Sequence, residues 1–185
     1  GRKILATGNG RCNLTNLAAS PERYSGTDLR PAASLLRRYS PETVLAFFED
    51  LGLLARAEDE GRVYPASGQA SAVLDVLRLA CARLGVEERC GWEVRSISPE
   101  KRGFTLTPAQ GAPLAAQKVI LAAGGMAAPN FGTDGSGFSL LRALGHKIEA
   151  PYPALVQLRT GTSPIRGLKG VRIKALIRSF ANRSL

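Results

Sequence analysis

The chain opens with GRKILATGNGRCNLTN, residues 1–16, and the other motifs are interpreted from this segment outward. Its short apolar run, followed by three turn formers at 8–10, predicts a strand that runs into a loop with exposed backbone. Glycine has no side chain and takes positive φ freely, so a ligand could approach such a loop closely. Arg11 can donate two N–H groups to a phosphate, a carboxylate or an electron-rich carbonyl. These residues fit an anion-binding loop, and they equally fit an ordinary turn with a solvated arginine.

The composition is that of an ordinary globular protein. The 185 residues are 44% hydrophobic and 22% charged, which excludes disordered and fibrous classes. The sequence shows no apolar run near the ~20 residues of a membrane span and no signal-peptide pattern, so we expect a cytoplasmic protein. A net charge of +10 favours attraction to nucleic acid, anionic lipid or an anionic cofactor. The basic residues are spread out with few aromatic residues between them, so charge alone does not choose a partner.

Cysteine and histidine give no sign of a metal site. Cys12, Cys81 and Cys90 are odd in number and form no C-x-x-C pair, so neither a disulfide framework nor a zinc site is indicated. His146 is the only histidine, and we interpret it as a structural or exposed residue rather than a metal ligand or general base. We expect no bound metal, and no catalytic acid or base stands out.

The first two thirds of the chain predict helices and short strands. Residues 21–31 are rich in turn formers and predict irregular chain or short helical turns. Ser40 is placed to cap a helix that Pro41 starts and Gly52 ends. The further expectations, in order, are a charged connection at 53–60, a short strand at 61–64 that breaks at Pro65, a helix capped by Ser71 and closed by Gly85, and a β-hairpin between Trp92 and Thr107.

Residues 118–125 differ from these strands, because they form a continuous apolar run that ends in two glycines. Such a run predicts a central strand buried on both faces of a parallel sheet. Ligands of parallel sheets lie beyond the carboxyl ends of the strands, where Gly124 and Gly125 fall. A loop at 126–137 and a short helix ended by Gly145 follow.

The pattern of predicted elements changes near Ala150, where we place a domain boundary. Residues 152–158 and 171–178 predict strands without helices between them. The second carries Arg172, Lys174 and Arg178 on one face, which is typical of a solvated outer face.

Taken in order, the motifs resemble the BaiN/RdsA-type (YhiN-like) family of NAD(P)/FAD-dependent flavoproteins. The most specific part is the G-R-C-N-L-T-N run at 10–16, and the similarity covers essentially the whole chain. The other matching segments are GRK at 1–3, TGNG at 7–10, GRVYPAS at 61–67, VILAAGG at 119–125, GTDGSGF at 132–138, LGH at 144–146 and PALV at 153–156.

The resemblance implies an α/β fold: part of an FAD-binding dinucleotide fold with a parallel sheet, helices and a β-hairpin layer, followed by the start of a β-rich insertion. Residues 1–150 would be the middle of the FAD domain, and residues 151–185 would begin the insertion (substrate) domain. The family's G-x-G-x-x-G segment, which binds the pyrophosphate, would lie before Gly1. The closing part of both domains would lie after Leu185, so we expect an internal fragment that is inactive alone.

The resemblance also implies cofactor-binding positions. The loop at 8–13 would face the flavin, and Val94 would offer its backbone to the adenine. Arg11, Cys12 and Tyr64 are the candidates nearest the isoalloxazine ring. Ala123 replaces a threonine that is usual in the family. The full implied set is Arg2, Lys3, Thr7, Gly8, Gly10, Arg11, Cys12, Asn13, Val94, Ala123, Gly124 and Gly125.

The function implied is that of a flavin-dependent oxidoreductase. FAD would carry hydride between NAD(P)H or an organic substrate and an acceptor, and the protein would orient it. We expect a small-molecule substrate, neither membrane nor nucleic acid as a partner, and catalytic residues that the sequence does not identify. The alternative is a basic, non-catalytic module that binds nucleic acid or another anionic partner, favoured by the net charge.

Overall fold

The computed structural model describes residues 1–153. The helices in that part are α1 (Arg2–Ala6), α2 (Arg30–Arg38), α3 (Pro41–Asp50), α4 (Ala70–Arg83) and α5 (Ser136–Ala143). The strands are β1 (Thr15–Asn16), β2 (Ala55–Ala57), β3 (Arg62–Pro65), β4 (Val94–Glu100), β5 (Gly103–Pro108) and β6 (Leu114–Ala116). Among these described residues, every helix is too short or too polar to cross a membrane.

The mixture of helices and strands confirms the predicted α/β class. Two three-stranded sheets form, in the orders β1–β3–β2 and β4–β5–β6. All strand pairs among residues 1–153 are antiparallel, whereas the sequence predicted a parallel sheet. The chain divides after Pro151, and Gly1–Pro151 form its first compact unit. The strands predicted at 152–158 and 171–178, with the basic face of the second, lie outside the described residues except for 152–153.

The core of the first unit forms where α4 covers the end of the opening loop. Cys12, Leu53, Ala70 and Val73 are buried together, and Ile4, Leu14 and Phe48 pack against them. In β3, Val63 and Tyr64 are only 1% and 5% exposed, because this strand lies between β1 and β2. The opening loop is therefore attached to the best-packed part of the fold.

Several local predictions are confirmed. Ser40 Oγ accepts a hydrogen bond from the Thr43 backbone N–H at 3.3 Å, which caps α3. The predicted short strand forms as β3, but it starts at Arg62 and includes Pro65, which pairs with Ala55 instead of breaking the strand. The hairpin forms as β4 and β5 in antiparallel register, with Ile97 opposite Leu106. The helix before Gly145 is α5. The cap of α4 is displaced, since the helix begins at Ala70 and Ser71 lies inside its first turn.

The prediction of a strand at the start of the chain is wrong, because residues 2–6 form α1. Arginine, lysine, leucine and alanine are all good helix formers. A helix also satisfies its backbone within itself, whereas a strand needs a hydrogen-bonded neighbour. Thr7 Oγ1 donates to the Ile4 carbonyl at 2.8 Å and so closes the last turn.

The central strand predicted at 118–125 is also absent from the structure. These residues pair with no strand among residues 1–153, and Ile120 is 91% exposed. A parallel strand needs partners on both edges and cover on both faces. The apolar run has neither in the described part of the chain, so its pattern alone does not produce a strand.

The sequence interpretation missed four elements, namely α2, β1, β2 and β6. Helix α2 begins just before Pro31, a proline taken as a loop signal although the first helical turn tolerates it. Strand β2 lies inside the predicted charged connection, and β6 extends the hairpin sheet through Leu114–Ala116. The three residues of β2 are all exposed, so no apolar pattern marks it and only its pairing with β3 defines it.

Candidate functional site

The loop at residues 7–13, here called the 7–13 loop, has an unusual backbone. Gly8, Asn9, Gly10 and Cys12 have φ of 56°, 58°, 82° and 60°, all in the left-handed region. Glycine and asparagine adopt this region at little cost. The Cys12 N–H donates to the Thr7 carbonyl at 3.0 Å and closes the loop on itself. The turn predicted from the Gly-Asn-Gly run is confirmed in this form.

Gly8 lies at the most crowded point of this loop. A Cβ placed on Gly8 would lie 2.9 Å from the Asn13 backbone nitrogen and 3.1 Å from Tyr64 Cε1. Gly10 faces open space, since a Cβ there would meet nothing within 4 Å. Only glycine at position 8 lets the loop fold back over Tyr64 with the Asn13 nitrogen beside it.

Arg11 is held by two side chains from the β2–β3 hairpin. Its Nη1 donates to both Glu58 carboxylate oxygens, at 2.9 Å and 3.0 Å. Its guanidinium carbon lies 3.9 Å from the centre of the Tyr64 ring, within the range of a cation–π contact. Arg56 also contacts Glu58, with 3.3 Å between Nη2 and Oε1. Hydrogen bonding from Arg11 lowers the pKa of the Glu58 carboxyl, and the same bond raises the pKa of Arg11.

Cys12 and Asn13 point to different surroundings. Cys12 is 9% exposed and belongs to the hydrophobic core, where it lies with Leu53 and Val73. Asn13 is exposed, and no hydrogen-bond acceptor among residues 1–153 pairs with its backbone N–H. Within the loop, Cys12 therefore anchors the backbone, while the Asn13 side chain and N–H lie outside the core.

A second group of predicted residues lies in the segment 123–137, here called the 123–137 loop, whose last two residues are the first two of α5. A Cβ on Gly124, whose φ is 79°, would lie 3.0 Å from Thr133 Cγ2. The Gly135 N–H donates to the Gly125 carbonyl at 3.1 Å. A Cβ on Gly137 would lie 3.2 Å from the Cβ of Ala123, so α5 starts in close contact with the end of the apolar run.

The first residues of α1 reach the 123–137 loop. Lys3 Nζ lies 5.9 Å from the centre of the Phe131 ring. A Cβ on Gly132 would lie 3.7 Å from Arg2 Nη2. Helix α1 thus has the 123–137 loop at its start and the 7–13 loop at its end. Val94 is the one predicted cofactor residue that lies in a strand, where it starts β4 opposite Pro108.

Glu58 was not identified from the sequence. It lies in a run of three acidic residues, 58–60, that resembles a solvated connection. The available signal was an arginine in a glycine-rich loop with no acidic residue near it in sequence. Such an arginine needs a distant partner if it is to be fixed. Among residues 1–153, no group of three or more His, Cys, Asp or Glu side chains could hold a metal ion.

A groove of about 760 Å³ lies at the far end of the β1–β3 pair. It is lined by Asn16, Ala18, Ala19, Arg23, Tyr24 and Glu60. The Asn16 side chain is already paired there, since it donates to the Glu60 carbonyl at 3.1 Å and accepts from the Ala18 N–H at 2.8 Å. The groove includes none of the predicted cofactor residues.

The sequence matches one family model and several characterised proteins. Residues 1–181 match the HI0933-like protein Rossmann domain. The chain is 40% identical over 185 residues to the 3-dehydro-bile acid delta(4,6)-reductase of Clostridium scindens, covering 100% of this chain and 45% of that protein. It is 29% identical over 156 residues to the ribosomal RNA dihydrouridine synthase of Escherichia coli, covering 84% of this chain and 38% of that protein.

A third relative is the ribosomal RNA dihydrouridine synthase of Haemophilus influenzae. It is 25% identical over 190 residues, which cover 100% of this chain and 47% of that protein. The chain therefore spans about half the length of the curated relatives it matches.

Proposed function

Because the chain belongs to the HI0933-like Rossmann domain family, we propose that it is part of an FAD-dependent oxidoreductase. This is the family that the motifs predicted. The observation that supports the proposal in the structure is the 7–13 loop, where a fixed arginine and an available backbone N–H lie beside a buried tyrosine. We propose also that residues 1–150 belong to the FAD domain and that residues 151–185 begin a β-rich insertion.

The donors of the 7–13 loop fit a flavin. The ring of a flavin carries carbonyl oxygens, and reduction places negative charge close to them. Glu58 uses only Nη1 of Arg11, so Nε and Nη2 are not engaged by this carboxylate. The Asn13 N–H is likewise available. A cationic donor from Arg11 and a neutral donor from the Asn13 backbone suit a planar group that becomes more negative in its reduced form.

Each residue of the loop has a separate task under this proposal. When bound, FAD supplies the hydride chemistry. Because Gly8 has no Cβ, nothing at position 8 blocks the Asn13 nitrogen, and the flavin ring could approach the backbone there. Arg11 would hold positive charge toward the flavin, and Tyr64, 5% exposed, would exclude water behind the guanidinium. Arg2, Lys3 and the 123–137 loop would hold parts of the cofactor remote from the reacting atoms.

The substrate class that we propose is a carbon–carbon double bond conjugated to a carbonyl group. The bile acid relative is named as a reductase of double bonds in a 3-oxo steroid. The two other relatives are named for making dihydrouridine, in which the double bond next to a uracil carbonyl is reduced. Hydride addition to such a bond is the step these names share. NADH or NADPH is proposed as the electron donor.

The proposal is tested by reoxidation of reduced flavin. The full-length protein would be loaded with FAD, reduced by light without oxygen, and mixed with one acceptor at a time. A 3-oxo-4,6-diene steroid and a uridine-containing ribosomal RNA fragment are the two acceptors. The saturated steroid and the dihydrouridine form are their controls. Faster flavin reoxidation with either unsaturated acceptor supports the proposal, and no difference from the controls for both acceptors overturns it.

The net charge of +10 favours a second candidate, a basic module that binds RNA without catalysis. This candidate predicts RNA binding that weakens steeply with salt, in a full-length protein that takes up no FAD. Flavin uptake together with reoxidation by the steroid alone would exclude it.

A further inference from the structure

We propose that Glu58 is a positioning residue of the 7–13 loop: it holds the Arg11 guanidinium over Tyr64 and sets how much positive charge the loop presents to a ligand. The holding of Arg11 is inferred from the contacts alone. Only the identity of the ligand, a flavin, rests on the proposed function.

The geometry of the pair is specific. Both carboxylate oxygens of Glu58 accept from the same nitrogen, Nη1 of Arg11, at 2.9 Å and 3.0 Å. An arginine that forms two parallel bonds with a carboxylate uses two nitrogens instead. The arrangement here consumes one nitrogen and leaves Nε and Nη2 for a ligand.

Glu58 itself is fixed by its strand connection. Its backbone N–H donates to the Arg62 carbonyl at 2.7 Å, at the end of the β2–β3 pair. Its side chain is 26% exposed, and that of Arg11 is 38% exposed. The pair joins positions 47 residues apart in the chain, so it ties the 7–13 loop to the β2–β3 hairpin.

The charges around Glu58 keep it ionised. Arg11 and Arg56 both contact the carboxylate, and their hydrogen bonds lower the pKa of Glu58 from its ordinary value. The three side chains together carry one positive charge, whereas Arg11 and Arg56 without Glu58 would carry two. Glu58 thus limits the positive charge beside the ligand while it holds the arginine that carries it.

Two substitutions of Glu58 separate these effects, because both remove the same charge. Glu58→Gln keeps an oxygen that accepts from Arg11, whereas Glu58→Ala removes the acceptor. Glu60→Gln is the matched control, since Glu60 lies on the same hairpin, contacts Arg62 at 3.5 Å and is 81% exposed. The first measurement is the rate at which phenylglyoxal labels each arginine of the full-length protein, resolved by peptide mass spectrometry.

We expect Glu58→Ala to raise the labelling rate of Arg11 at least threefold over that in wild type, with Glu58→Gln and Glu60→Gln close to wild type. Arg30, distant in sequence and paired with Asp28, serves as the internal reference. An unchanged Arg11 rate in Glu58→Ala would show that Glu58 does not hold the arginine and would overturn the inference. This measurement needs no flavin.

The second measurement is the flavin midpoint potential of the FAD-loaded protein. Glu58→Gln should favour the reduced flavin by about tenfold, which is about 30 mV for a two-electron couple. Glu58→Ala should instead approach Arg11→Ala, in which the reduced flavin is less favoured than in wild type. Equal potentials for the Gln and Ala variants would show that charge acts without positioning. A protein without flavin refutes the proposed function and the flavin part of this inference, while labelling still decides the holding of Arg11.

Discussion

Replacing Gly8 by alanine should destabilise the protein more than the same replacement at Gly10. Both glycines have positive φ, 56° at position 8 and 82° at position 10, so alanine is strained at either position. They differ in their surroundings, because a Cβ at Gly8 meets the Asn13 nitrogen at 2.9 Å and a Cβ at Gly10 meets nothing within 4 Å. The pair of variants separates backbone strain from crowding.

The magnitudes follow from these two terms. A left-handed alanine costs about 1–2 kcal/mol, which is the whole effect expected at Gly10. At Gly8 the new methyl group also forces backbone apart, and such overpacking costs about 1–3 kcal/mol more. The entropy that alanine removes from the unfolded chain is the same in both variants and cancels in the comparison. The Gly8→Ala variant should therefore be less stable than Gly10→Ala by at least about 1 kcal/mol.

The assay is urea unfolding of the full-length variants followed by far-ultraviolet circular dichroism, with the denaturation midpoint compared at equal slope. The crowding also predicts a local effect, because the Asn13 N–H should exchange faster with solvent deuterium in Gly8→Ala. Equal midpoints for the two alanine variants would show that a Cβ at position 8 is not crowded. They would mean that the loop does not fold back over Tyr64 as described.

Three further perturbations test other parts of the structure. Val73→Ala should lower the free energy of unfolding in urea by about 2–3 kcal/mol, because Val73 is only 2% exposed. Leu79→Ala, on the same helix at a position 69% exposed, should change that free energy by less than about 0.5 kcal/mol. Ser40→Ala removes the cap of α3 and should cost about 1 kcal/mol, which Ser40→Asp should restore; equal stability of all three would contradict the cap. The pKa of Glu58 is lowered from 4.5 mainly by hydrogen bonding from Arg11, so its contribution is fully present above about pH 4.5 and is lost as the pH falls through the folded-state pKa. Wild type should thus lose stability in acid more steeply than Glu58→Gln, and parallel pH profiles from urea unfolding would contradict this.

The features that could be predicted from the sequence are those set by local chemistry. The cap at Ser40 needs only a hydroxyl before Pro41 and an acidic residue in the first turn, and consecutive residues of the sequence supply both. The Gly-Asn-Gly turn also followed from backbone preferences, since all three residues take positive φ in the structure. The α/β class was implied by the family resemblance that the motifs carry, and the mixture of helices and strands confirms it.

The features that could not be predicted depend on partners distant in sequence. Strand β2 has no apolar face, so only its pairing with β3 creates it. The apolar run at 118–125 has strand composition but pairs with no strand among residues 1–153, and its composition does not reveal that.

The candidate site shows the same limit. Arg11 could be chosen from its neighbours in the chain, whereas Glu58 is 47 residues away and is marked only by the charge it shares with the two residues after it. Cys12 shares the motif with Arg11, and its burial in the core became visible only in the folded chain. The sequence thus indicated the loop but not which of its side chains face outward.

Whether the protein is a flavoprotein is tested by the visible absorption spectrum of the purified full-length protein. We expect flavin bands, and release of FAD in near one-to-one ratio with protein when the protein is denatured. A colourless protein that also binds no added FAD in a calorimetric titration would show that the proposed FAD site is wrong.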